Sequence, residues 1–424
     1  MTDPDESGSH TAAAGGGTHD VVVVGAGVVG STVARHLAAG GRSVVVLDAS
    51  DDVGGGCSYA NAALLAPAHV GPLSTPGALR DAARQLGRRP PAVRVHPDPS
   101  LAGWATRLLA AAASGRVAAT AQELGRLAHR SAELHEELHR SGLNDSWSRT
   151  GSVDVRLTGA GRARRGVASA LSGAELRALE PALGPVVGGD LHPHEAVTES
   201  RGFVRSMLSS LRDNGGEVRF GTRATGLDVA RGAVVGVRTD RGPLIARHVV
   251  VAAGLGSAAI ARDAGLRLPL RGGRGYVVDL ARGPGDPAVA VRLVEHRVVV
   301  TPMQDRVRVS GYLELGAEGR PLDRRRAADL VRVAARAVPA LTGRVVVDTW
   351  AGERPVLADG LPAIGPSAAA DGLVLAVGHG MWGLVLAPVT AELVAGHVDG
   401  SAPHPVPGLS PDRFTRGLAP GRAA

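Results

Sequence analysis

The sequence predicts an α/β protein in which a parallel strand–helix–strand unit near the start of the chain is combined with an antiparallel sheet. Four consecutive valines, Val21 to Val24, are bounded by turn residues and are too few to span a membrane, so we interpret them as a strand buried on both faces. A helix over about 28–39 and a second buried strand over 42–47 follow. Short alternating runs between 268 and 310, separated by Gly, Pro and Asp turns, indicate the antiparallel sheet.

The turn after the first strand carries three glycines in G-x-G-x-x-G spacing, at Gly25, Gly27 and Gly30. In this pattern the first glycine permits a tight turn, the second lets a pyrophosphate approach the backbone, and the third lets helix and strand pack closely. The helix N-terminus at Val28 and Val29 then offers unpaired N–H groups and the positive end of a dipole to phosphates.

Asp48 ends the second strand, 18 residues after Gly30, where an acidic side chain can accept hydrogen bonds from a ribose diol. Because strand, helix, second strand and acid are all in register, they predict a dinucleotide site rather than a chance glycine turn. The aspartate favours an unphosphorylated ribose, and therefore FAD or NAD rather than NADP. Ala49, the next residue, is a further predicted cofactor contact.

Composition argues against several other functions. The 424 residues contain 47 basic and 40 acidic side chains, and every basic residue in that count is an arginine. These arginines are scattered among acids, and three Phe and three Tyr offer little base stacking, so we expect no nucleic-acid binding. One cysteine gives no disulfide framework and indicates a reducing compartment. His135 and His139 lack an obvious third ligand, so we predict a solvated helix face and no metal.

A second glycine-rich segment runs from Asp52 to Ala62. Gly55, at the centre of a glycine triplet, lets the chain cross close to a cofactor, and Ser58 and Asn61 can donate hydrogen bonds to phosphates or to a ring edge. An ordinary surface loop is the alternative. The position of the segment just after the ribose-binding acid favours cofactor contact, which includes Ala62.

Two later strands also end in small residues and glycine. The run 247–254 predicts a buried strand, and the run 373–384 predicts a strand, a glycine turn and the start of a helix. The helix again aims N–H groups at something electron-rich. The residues concerned are Ala253 and Gly254 in the first run, and Gly378, His379, Gly380, Gly383 and Leu384 in the second.

These motifs resemble the D-amino-acid oxidase-type FAD-dependent oxidoreductases. The similar features are G-x-G-x-x-G, D, G-G and S-x-x-N-A, followed near the end by W-x-G-x-R-P, D-G-x-P-x-I-G and a strand ending in G-H-G. The resemblance is strongest to the small subunit of D-amino-acid dehydrogenase, with the glycine and sarcosine oxidases as relatives. It implies a glutathione-reductase-like, FAD-binding Rossmann domain, a discontinuous antiparallel-sheet substrate domain, and oxidation of an amine C–N bond.

The sequence also predicts a domain order and a location. We expect a cytoplasmic protein without a transmembrane segment, with peripheral contact at the inner face of the membrane left open. The expected segments are a disordered leader (1–18), an FAD domain in three parts (19–80, 190–262 and 346–400), a substrate domain in two parts (81–189 and 263–345), and a flexible tail (401–424).

Further cofactor contacts are implied by the resemblance. Ala224 is a further predicted contact to the cofactor. A larger side chain at Ala253 or Gly254 would collide with the cofactor. The helix from Leu384 would place positive potential at the O2/N1 side of the isoalloxazine, which stabilises the anionic reduced flavin. Cys57 lies in the glycine-rich loop, whereas sarcosine oxidases use a cysteine late in the chain for a covalent flavin link. We therefore expect FAD to be held non-covalently.

Four residues are candidates for the chemistry. Tyr276 follows Arg-Gly, as in the family, and is predicted either to bind a substrate carboxylate or to pack in the core. His379 is expected beside the flavin, where it touches substrate or flavin or holds the loop. Arg354 is a fold or flavin-contact candidate, and Arg308 is a carboxylate candidate on a strand that roofs the flavin.

One departure from the family bears on the substrate. Glycine-oxidase-like members carry an arginine after the last G-H, whereas this chain has Met381 and Trp382 after Gly380. Either the carboxylate is bound elsewhere or the substrate is not a simple amino acid. The apolar wall favours an imino acid such as a proline derivative, or a larger secondary amine. A tailoring oxidase and a non-catalytic FAD-binding subunit are the alternatives, and the electron acceptor is either oxygen or a quinone-linked carrier.

Overall fold

Two large sheets organise the computed structural model, which describes residues 18–86, 90–114, 116–158, 170–402 and 404–414. Nearly all of the predicted leader lies outside the described residues. The α-helices of the described part are α1 (Val28–Ala39), α2 (Pro76–Leu86), α3 (Leu101–Ala113), α4 (Arg116–Arg140), α5 (Gly173–Leu179), α6 (Ser200–Asp213), α7 (Ser257–Ile260), α8 (Arg324–Ala334) and α9 (Gly383–Val398).

The strands of the described part alternate with these helices along the chain. They are β1 (His19–Val24), β2 (Val44–Leu47), β3 (Leu64–Leu65), β4 (Val93–Val95), β5 (Ser152–Arg156), β6 (Ala170–Ser172), β7 (Gly188–His192), β8 (Ala196–Val197), β9 (Glu217–Arg219), β10 (Ala224–Ala230), β11 (Ala233–Thr239), β12 (Leu244–Val251), β13 (Leu270–Ala281), β14 (Ala290–Leu293), β15 (Val298–Pro302), β16 (Arg306–Leu315), β17 (Val346–Leu357), β18 (Ala363–Pro366) and β19 (Leu373–Val377).

The first sheet is the nucleotide-binding type that the valine runs predict. Strands β9, β2, β1, β12 and β19 pair in parallel, and β18 pairs antiparallel with β19. Along β1, Val21 and Val23 belong to one core and Val22 and Val24 to the core on the opposite face. A strand with apolar cover on both faces has no polar positions to alternate, which explains the uninterrupted valines.

The second sheet carries the antiparallel pairing that the alternating runs predict. Its order is β17-β13-β16-β15-β14-β5-β7-β6, and β4 pairs with β16. The β14–β5 and β16–β4 pairs are parallel, which the sequence analysis did not anticipate. Helix α8 covers one face of this sheet through an apolar cluster that includes Tyr276 and Leu330. The mixed α/β architecture confirms the predicted fold class.

The chain crosses between the two sheets several times, and one of these crossings follows β17. Strand β17 pairs with β13 along its length, from Val346 opposite Leu280 to Leu357 opposite Leu270. The chain therefore returns to the first sheet after Leu357, and not at residue 346. The resemblance predicted that W-x-G-x-R-P belongs to the FAD domain, whereas its residues lie in strand β17 of the second sheet.

The segment predicted as a flexible tail is packed where the structure describes it. Leu409 is fully buried, and its carbonyl oxygen accepts a hydrogen bond from the backbone N–H of Ile364. Arg413 pairs with Asp359 at 2.6 Å. These contacts anchor 404–414 to the first sheet, and residues 415–424 lie outside the described part.

One helical segment of the described part, Gly380–Val398, is long and apolar enough to cross a membrane. In the structure this segment contains α9, which packs against α1 and α4 and contributes Leu386, Val389 and Val394 to the core. Its apolar character therefore has an explanation within the fold, as the central helix of the first unit.

Candidate active site

The glycine turn between β1 and α1 leaves no room for side chains. A Cβ atom on Gly25 would lie 2.6 Å from the carbonyl oxygen of Ala252, and Gly25 has a φ of +107° that favours glycine. A Cβ atom on Gly30 would lie 1.9 Å from the carbonyl oxygen of Gly25. The end of β12 therefore packs directly on the turn, which brings Ala253 and Gly254 to the same edge of the sheet as Gly27.

The N-terminus of α1 already receives oxygen acceptors from neighbouring segments. The backbone N–H of Val28 donates to Oγ of Ser58 at 3.0 Å, and that of Ala26 donates to Oδ2 of Asp48 at 2.7 Å. The other oxygen of Asp48 accepts from the N–H of Ser50 at 2.9 Å. The other N–H groups of the first turn of α1, beside the G-x-G-x-x-G turn, make a phosphate-binding cradle.

A second helix N-terminus points at the same region. Helix α9 begins at Gly383 without a side-chain cap. A Cβ atom on Gly383 would lie 3.7 Å from Cγ1 of Val28 and 4.0 Å from Cγ2 of Val29, so α1 and α9 begin close together. Two positive dipole ends therefore converge where an electron-rich ligand would sit.

A cavity of about 470 Å³ lies between these helix N-termini and the second sheet. Its walls come from the glycine-rich loop, the central strands β13 and β17, and the turn before α9. The lining residues are Val28, Cys57, Ser58, Ala60, Asn61, Gly275, Val277, Trp350, Gly352, Arg354, Gly380, Met381, Gly383 and Leu384.

A pair of facing glycines gives the cavity roof its shape. Gly275 on β13 lies directly opposite Gly352 on β17. A Cβ atom on Gly275 would lie 2.1 Å from Nη2 of Arg354, and one on Gly352 would lie 1.8 Å from the Trp350 ring. The Arg354 guanidinium therefore lies over the backbone of Gly275, and the Trp350 indole lies over the backbone of Gly352. Both groups line the cavity.

Arg354 is a cation with no counter-charge in contact. Its guanidinium donates to the carbonyl oxygen of Tyr312 at 2.9 Å, and among the described residues no carboxylate lies within 4.0 Å of it. Burial lowers the pKa of Arg354 from its usual range. Because a half-buried guanidinium without a counter-charge gains from an anionic partner, this site favours an anionic ligand in the cavity.

Arg308, the other predicted arginine, is already neutralised. Its Nε and Nη2 donate to the two carboxylate oxygens of Asp279 at 2.8 and 2.7 Å, and Nη1 donates to the carbonyl oxygen of Asn61 at 3.3 Å. Thr301 likewise donates to the carbonyl oxygen of Ala62 at 2.6 Å. Arg308 therefore anchors the glycine-rich segment that ends at Ala62 to the second sheet. This corrects its prediction as a carboxylate ligand.

Tyr276 lies on the wrong face of its strand for the predicted role. Gly275 and Val277 line the cavity, so the side chain between them points to the opposite face of β13. There the Tyr276 hydroxyl donates to Oε2 of Glu314 at 3.1 Å, within the core under α8. The structure therefore corrects the carboxylate-binding assignment in favour of the alternative, core packing.

His379 also turns away from the cavity. Its side chain is buried, and Nε2 lies 3.0 Å from Oγ1 of Thr390 on α9. Burial lowers the pKa of His379 to about 4. A ring that stays neutral at ordinary pH and does not line the cavity holds the turn before α9, which corrects its assignment as a catalytic candidate.

His135 is likewise buried, and the prediction of a solvated helix face was wrong for it. Its ring packs against Phe203, and Nε2 lies 2.9 Å from the carbonyl oxygen of Leu384. Burial lowers the pKa of His135 to about 4. The helix turns this position inward because α4 packs against α9.

These two histidines predict acid sensitivity. Both must be neutral in the folded state, whereas in the unfolded chain they protonate near pH 6.5. The unfolded state therefore binds more protons below pH 6.5, and stability is lost as the pH falls from 6.5 towards 4. We expect a loss on the order of a few kcal/mol in urea unfolding at pH 5 relative to pH 7. His135→Gln should flatten that dependence, and an unchanged slope would contradict the assignment.

A separate polar cluster joins the loop after β3 to the second sheet. Ligand atoms of His69, Asp154 and His192 lie within 4.8 Å of one another. Arg292 intrudes on this cluster, with Nε donating to Oδ1 of Asp154 at 2.5 Å and Nη2 lying 2.5 Å from Nε2 of His69. Because Arg292 supplies the positive charge that a metal ion would bring, we interpret the cluster as an ion network that ties the two units together.

Comparison with known proteins decides the family. The model of the FAD dependent oxidoreductase family, DAO, matches residues 20–396. The chain belongs to this family. A D-amino acid dehydrogenase 2 from Ralstonia nicotianae is 33% identical over 413 residues, covering 90% of this chain and 97% of the relative. A D-amino acid dehydrogenase from Paramagnetospirillum magneticum is 31% identical over 417 residues, covering 93% and 99%.

Solved structures of other flavoenzymes share the fold of this FAD-dependent oxidoreductase. Glycine oxidase from Geobacillus kaustophilus matches with a TM-score of 0.72 at 20% identity, covering 95% of this chain and all of the other. L-proline dehydrogenase from P. horikoshii matches with a TM-score of 0.70 at 20% identity, covering 94% and 98%. The predicted family, enzyme class and FAD cofactor are confirmed.

The residues present fit FAD. The three-glycine turn, Ser58 and the first turn of α1 would hold the pyrophosphate, and Asp48 the ribose. The backbone N–H of Thr222 donates to the carbonyl oxygen of Asp48 at 2.8 Å, which places Ala224 near the ribose end, where Ala49 is exposed. A Cβ atom on Gly55 would overlap Oγ of Ser50, so the glycine loop returns onto the same site. The individual contacts to FAD stay predictions.

Sequence reasoning missed several cavity residues. Trp350 was noted only as part of the W-x-G-x-R-P motif and was given no role. Gly275 and Gly352 have no functional group that would indicate a place in the site. Cys57 lines the cavity, although it was expected to lie near the pyrophosphate. The prediction that FAD is bound non-covalently remains untested by this geometry. Cross-strand pairing, which brings Gly275 opposite Gly352, was the information that the sequence lacked.

Proposed function

We propose that this enzyme oxidises the Cα–N bond of a small amino or imino acid to an imine, which water hydrolyses to a 2-oxo product. Bound FAD supplies the two-electron acceptor for the hydride that leaves Cα. The nitrogen lone pair forms the new C=N bond of an iminium ion, which loses its N–H proton to water to give the imine, so atoms and electrons balance. The observation that carries the proposal is Arg354, a half-buried guanidinium on the cavity wall that has no carboxylate within 4.0 Å among the described residues.

Arg354 would hold the substrate carboxylate through its planar fork, which matches a carboxylate in two parallel hydrogen bonds. This chain lacks the arginine that follows Gly-His in glycine-oxidase-like members. Arg354, from the W-x-G-x-R-P motif, would bind the substrate carboxylate in its place. Once held, Cα lies at a fixed distance from the cofactor position, and positioning of this kind needs no catalytic base.

The surroundings of Arg354 favour an apolar substrate body and a neutral amine. Val277, Trp350 and Met381 form the apolar part of the wall. The positive end of α9 and the arginine both disfavour a second positive charge, which lowers the pKa of a substrate ammonium. Only the neutral amine has the lone pair needed for C=N formation, so this electrostatic bias serves the reaction.

The names of the relatives support amino acids as the substrate class. The curated relatives are called D-amino acid dehydrogenases, and the structural neighbours include a glycine oxidase and an L-proline dehydrogenase. Among these classes we favour a D-amino acid or a cyclic imino acid such as a D-proline derivative, because the Trp350 indole offers a flat apolar surface. The proposed electron acceptor is oxygen or a quinone-linked carrier.

The direct test is anaerobic reduction of the purified holoenzyme by a panel of D-amino acids, their L enantiomers, glycine, sarcosine and D-proline. We expect one D-amino or imino acid to bleach the oxidised flavin spectrum. Pyrrolidine, which matches proline without a carboxylate, is the control and should bleach it far more slowly. Readmitted air then distinguishes an oxidase, which recovers its colour, from a dehydrogenase that needs another acceptor.

Two outcomes would contradict the proposal. A flavin that stays oxidised with every carboxylate-bearing amine would instead support a tailoring oxidase for an amine within a larger metabolite, or a non-catalytic subunit. Equal bleaching by pyrrolidine and D-proline would contradict carboxylate recognition while leaving amine oxidation in place.

A further inference from the structure

A large open groove lies beside the cavity. Its volume, including space open to solvent, is about 1610 Å³, and its walls combine charged and apolar side chains. Four arginines and three acids face it, together with Trp147 and Met303. The charged lining residues are Arg201, Arg205, Arg282, Arg306, Asp145, Glu199 and Asp305.

One aromatic side chain contacts both a residue of the cavity and a residue of the groove. The Tyr59 ring lies 5.4 Å from the ring of Trp350, which lines the cavity. The guanidinium of Arg201, which lines the groove, lies 4.6 Å from the centre of the Tyr59 ring. Tyr59 therefore links a wall residue of the cavity to a wall residue of the groove.

Tyr59 is held by several neighbours. Its hydroxyl donates to Oδ2 of Asp348 at 3.0 Å. Gly54 has a φ of +103°, and a Cβ atom there would lie 3.2 Å from Cδ2 of Tyr59. The hydroxyl partner, the two ring contacts and the adjacent glycine together define the position of the ring.

Among the described residues, one hydrogen-bond donor of Arg201 is unfilled. Nε of Arg201 is buried and has no hydrogen-bond partner among the described residues. In contrast, Arg306 pairs with Asp279 at 2.9 Å and Arg282 with Asp286 at 2.8 Å. A carboxylate that reached Arg201 would therefore gain a charge-assisted hydrogen bond that the protein itself does not fill.

We infer that Tyr59 sets the upper size of the substrate, and that Arg201 behind it forms a latent subsite for a distal carboxylate. This inference rests on the proposed function. The cavity must also hold the reactive part of the cofactor, so the space that it leaves beside Trp350 suits a small amino acid. Removal of the Tyr59 ring joins it to the groove and brings Arg201 within reach of a longer side chain.

The test compares holoenzymes by anaerobic flavin reduction with the best small panel substrate, D-2-aminoadipate and D-lysine. In Tyr59→Ala we expect kcat/KM for D-2-aminoadipate, which has a distal carboxylate, to rise about tenfold or more relative to the small substrate. D-lysine, with a distal ammonium of similar reach, should gain far less because it meets Arg201.

Matched variants separate size from charge. Tyr59→Phe keeps the ring and loses only the hydroxyl, so its substrate preference should remain that of the wild type. Tyr59→Ala/Arg201→Gln keeps the opening without the cation, and should abolish the difference between D-2-aminoadipate and D-lysine. If Tyr59→Ala loses its flavin, Tyr59→Leu provides a smaller opening with more of the original packing, and the same order of substrates is expected.

An unchanged ratio of D-2-aminoadipate to small substrate in both opened variants would overturn the inference. An equal gain for D-2-aminoadipate and D-lysine would overturn the Arg201 subsite and leave Tyr59 as a size limit alone. Failure of the proposed function is distinguishable, because the wild-type flavin would then not be bleached by any carboxylate-bearing amine.

Discussion

Replacement of Arg354 by methionine is expected to lower kcat/KM for the amino-acid substrate on the order of 10²–10³-fold while FAD stays bound. Truncation of one partner of a buried, hydrogen-bonded charge pair costs about 2–5 kcal/mol. Here the substrate carboxylate would lose its fork and enter the cavity without a counter-charge. Methionine has a similar length and no charge, so the cavity wall keeps much of its packing.

The substrate itself provides the control for this prediction. An amine without a carboxylate, such as pyrrolidine, has nothing to lose from Arg354→Met, so its slow reduction of the flavin should change only a few-fold. Arg354→Lys should recover part of the loss, because charge returns without the planar fork. Equal losses for carboxylate and non-carboxylate amines would show that Arg354 supports the fold and does not bind substrate.

Gly275 allows a second, independent approach to the same guanidinium. A Cβ atom at this position would lie within 2.1–2.5 Å of three guanidinium atoms of Arg354. Gly275→Ala should therefore displace the arginine and weaken binding of the carboxylate, although no charge is removed. A rise in KM, with the flavin spectrum unchanged, is the expected signature.

The nucleotide-binding half of the fold was predictable because its signals are local. Buried valines, a glycine turn and an acid at a fixed spacing lie within residues 20–48, and one physical requirement, close approach of backbone to phosphate, explains each of them. Ser58 was predicted from its position in the following loop, and the structure places its Oγ at the N-terminus of α1.

The substrate half was less predictable because its geometry depends on pairing between distant strands. Whether Tyr276 or Gly275 faces the cavity is decided by the register of β13 against β17, and a shift of one residue exchanges the two faces. Likewise, Arg308 and Arg354 look equally available in the sequence. Only the fold shows that Asp279, 29 positions before Arg308 and on the neighbouring strand, neutralises the first. In the described part of the chain, no carboxylate lies within 4.0 Å of the second.

Glycines show the same division between local and distant information. Gly30 was assigned from its motif, and the reason for it is local, since its neighbour across the turn is Gly25. Gly352 lies two residues from Trp350, but its requirement for glycine arises only when the indole folds back over the strand. The W-x-G-x-R-P motif contains both Trp350 and Gly352, but the motif alone does not indicate that the indole contacts the glycine.

Gly30→Ala is expected to destabilise the protein by several kcal/mol and to abolish FAD binding. The new methyl group would lie 1.9 Å from the carbonyl oxygen of Gly25, and both partners are backbone atoms that cannot rotate away. Relief of this overlap requires α1 to move off β1, which costs at least the 1–3 kcal/mol typical of an overpacked core. The same movement would displace the helix N–H groups that bind phosphate.

Gly125 offers the matched control, since it is also a glycine within a helix but has open space where a Cβ atom would be. Gly125→Ala should be neutral or stabilising by about 0.5–1 kcal/mol, because alanine is the better helix former. Urea unfolding and flavin absorbance per protein measure both effects. If Gly30→Ala retained FAD and unfolded like Gly125→Ala, close packing of α1 on the turn would not be what holds the pyrophosphate site, and Ser58 and Asp48 would have to form it without that support.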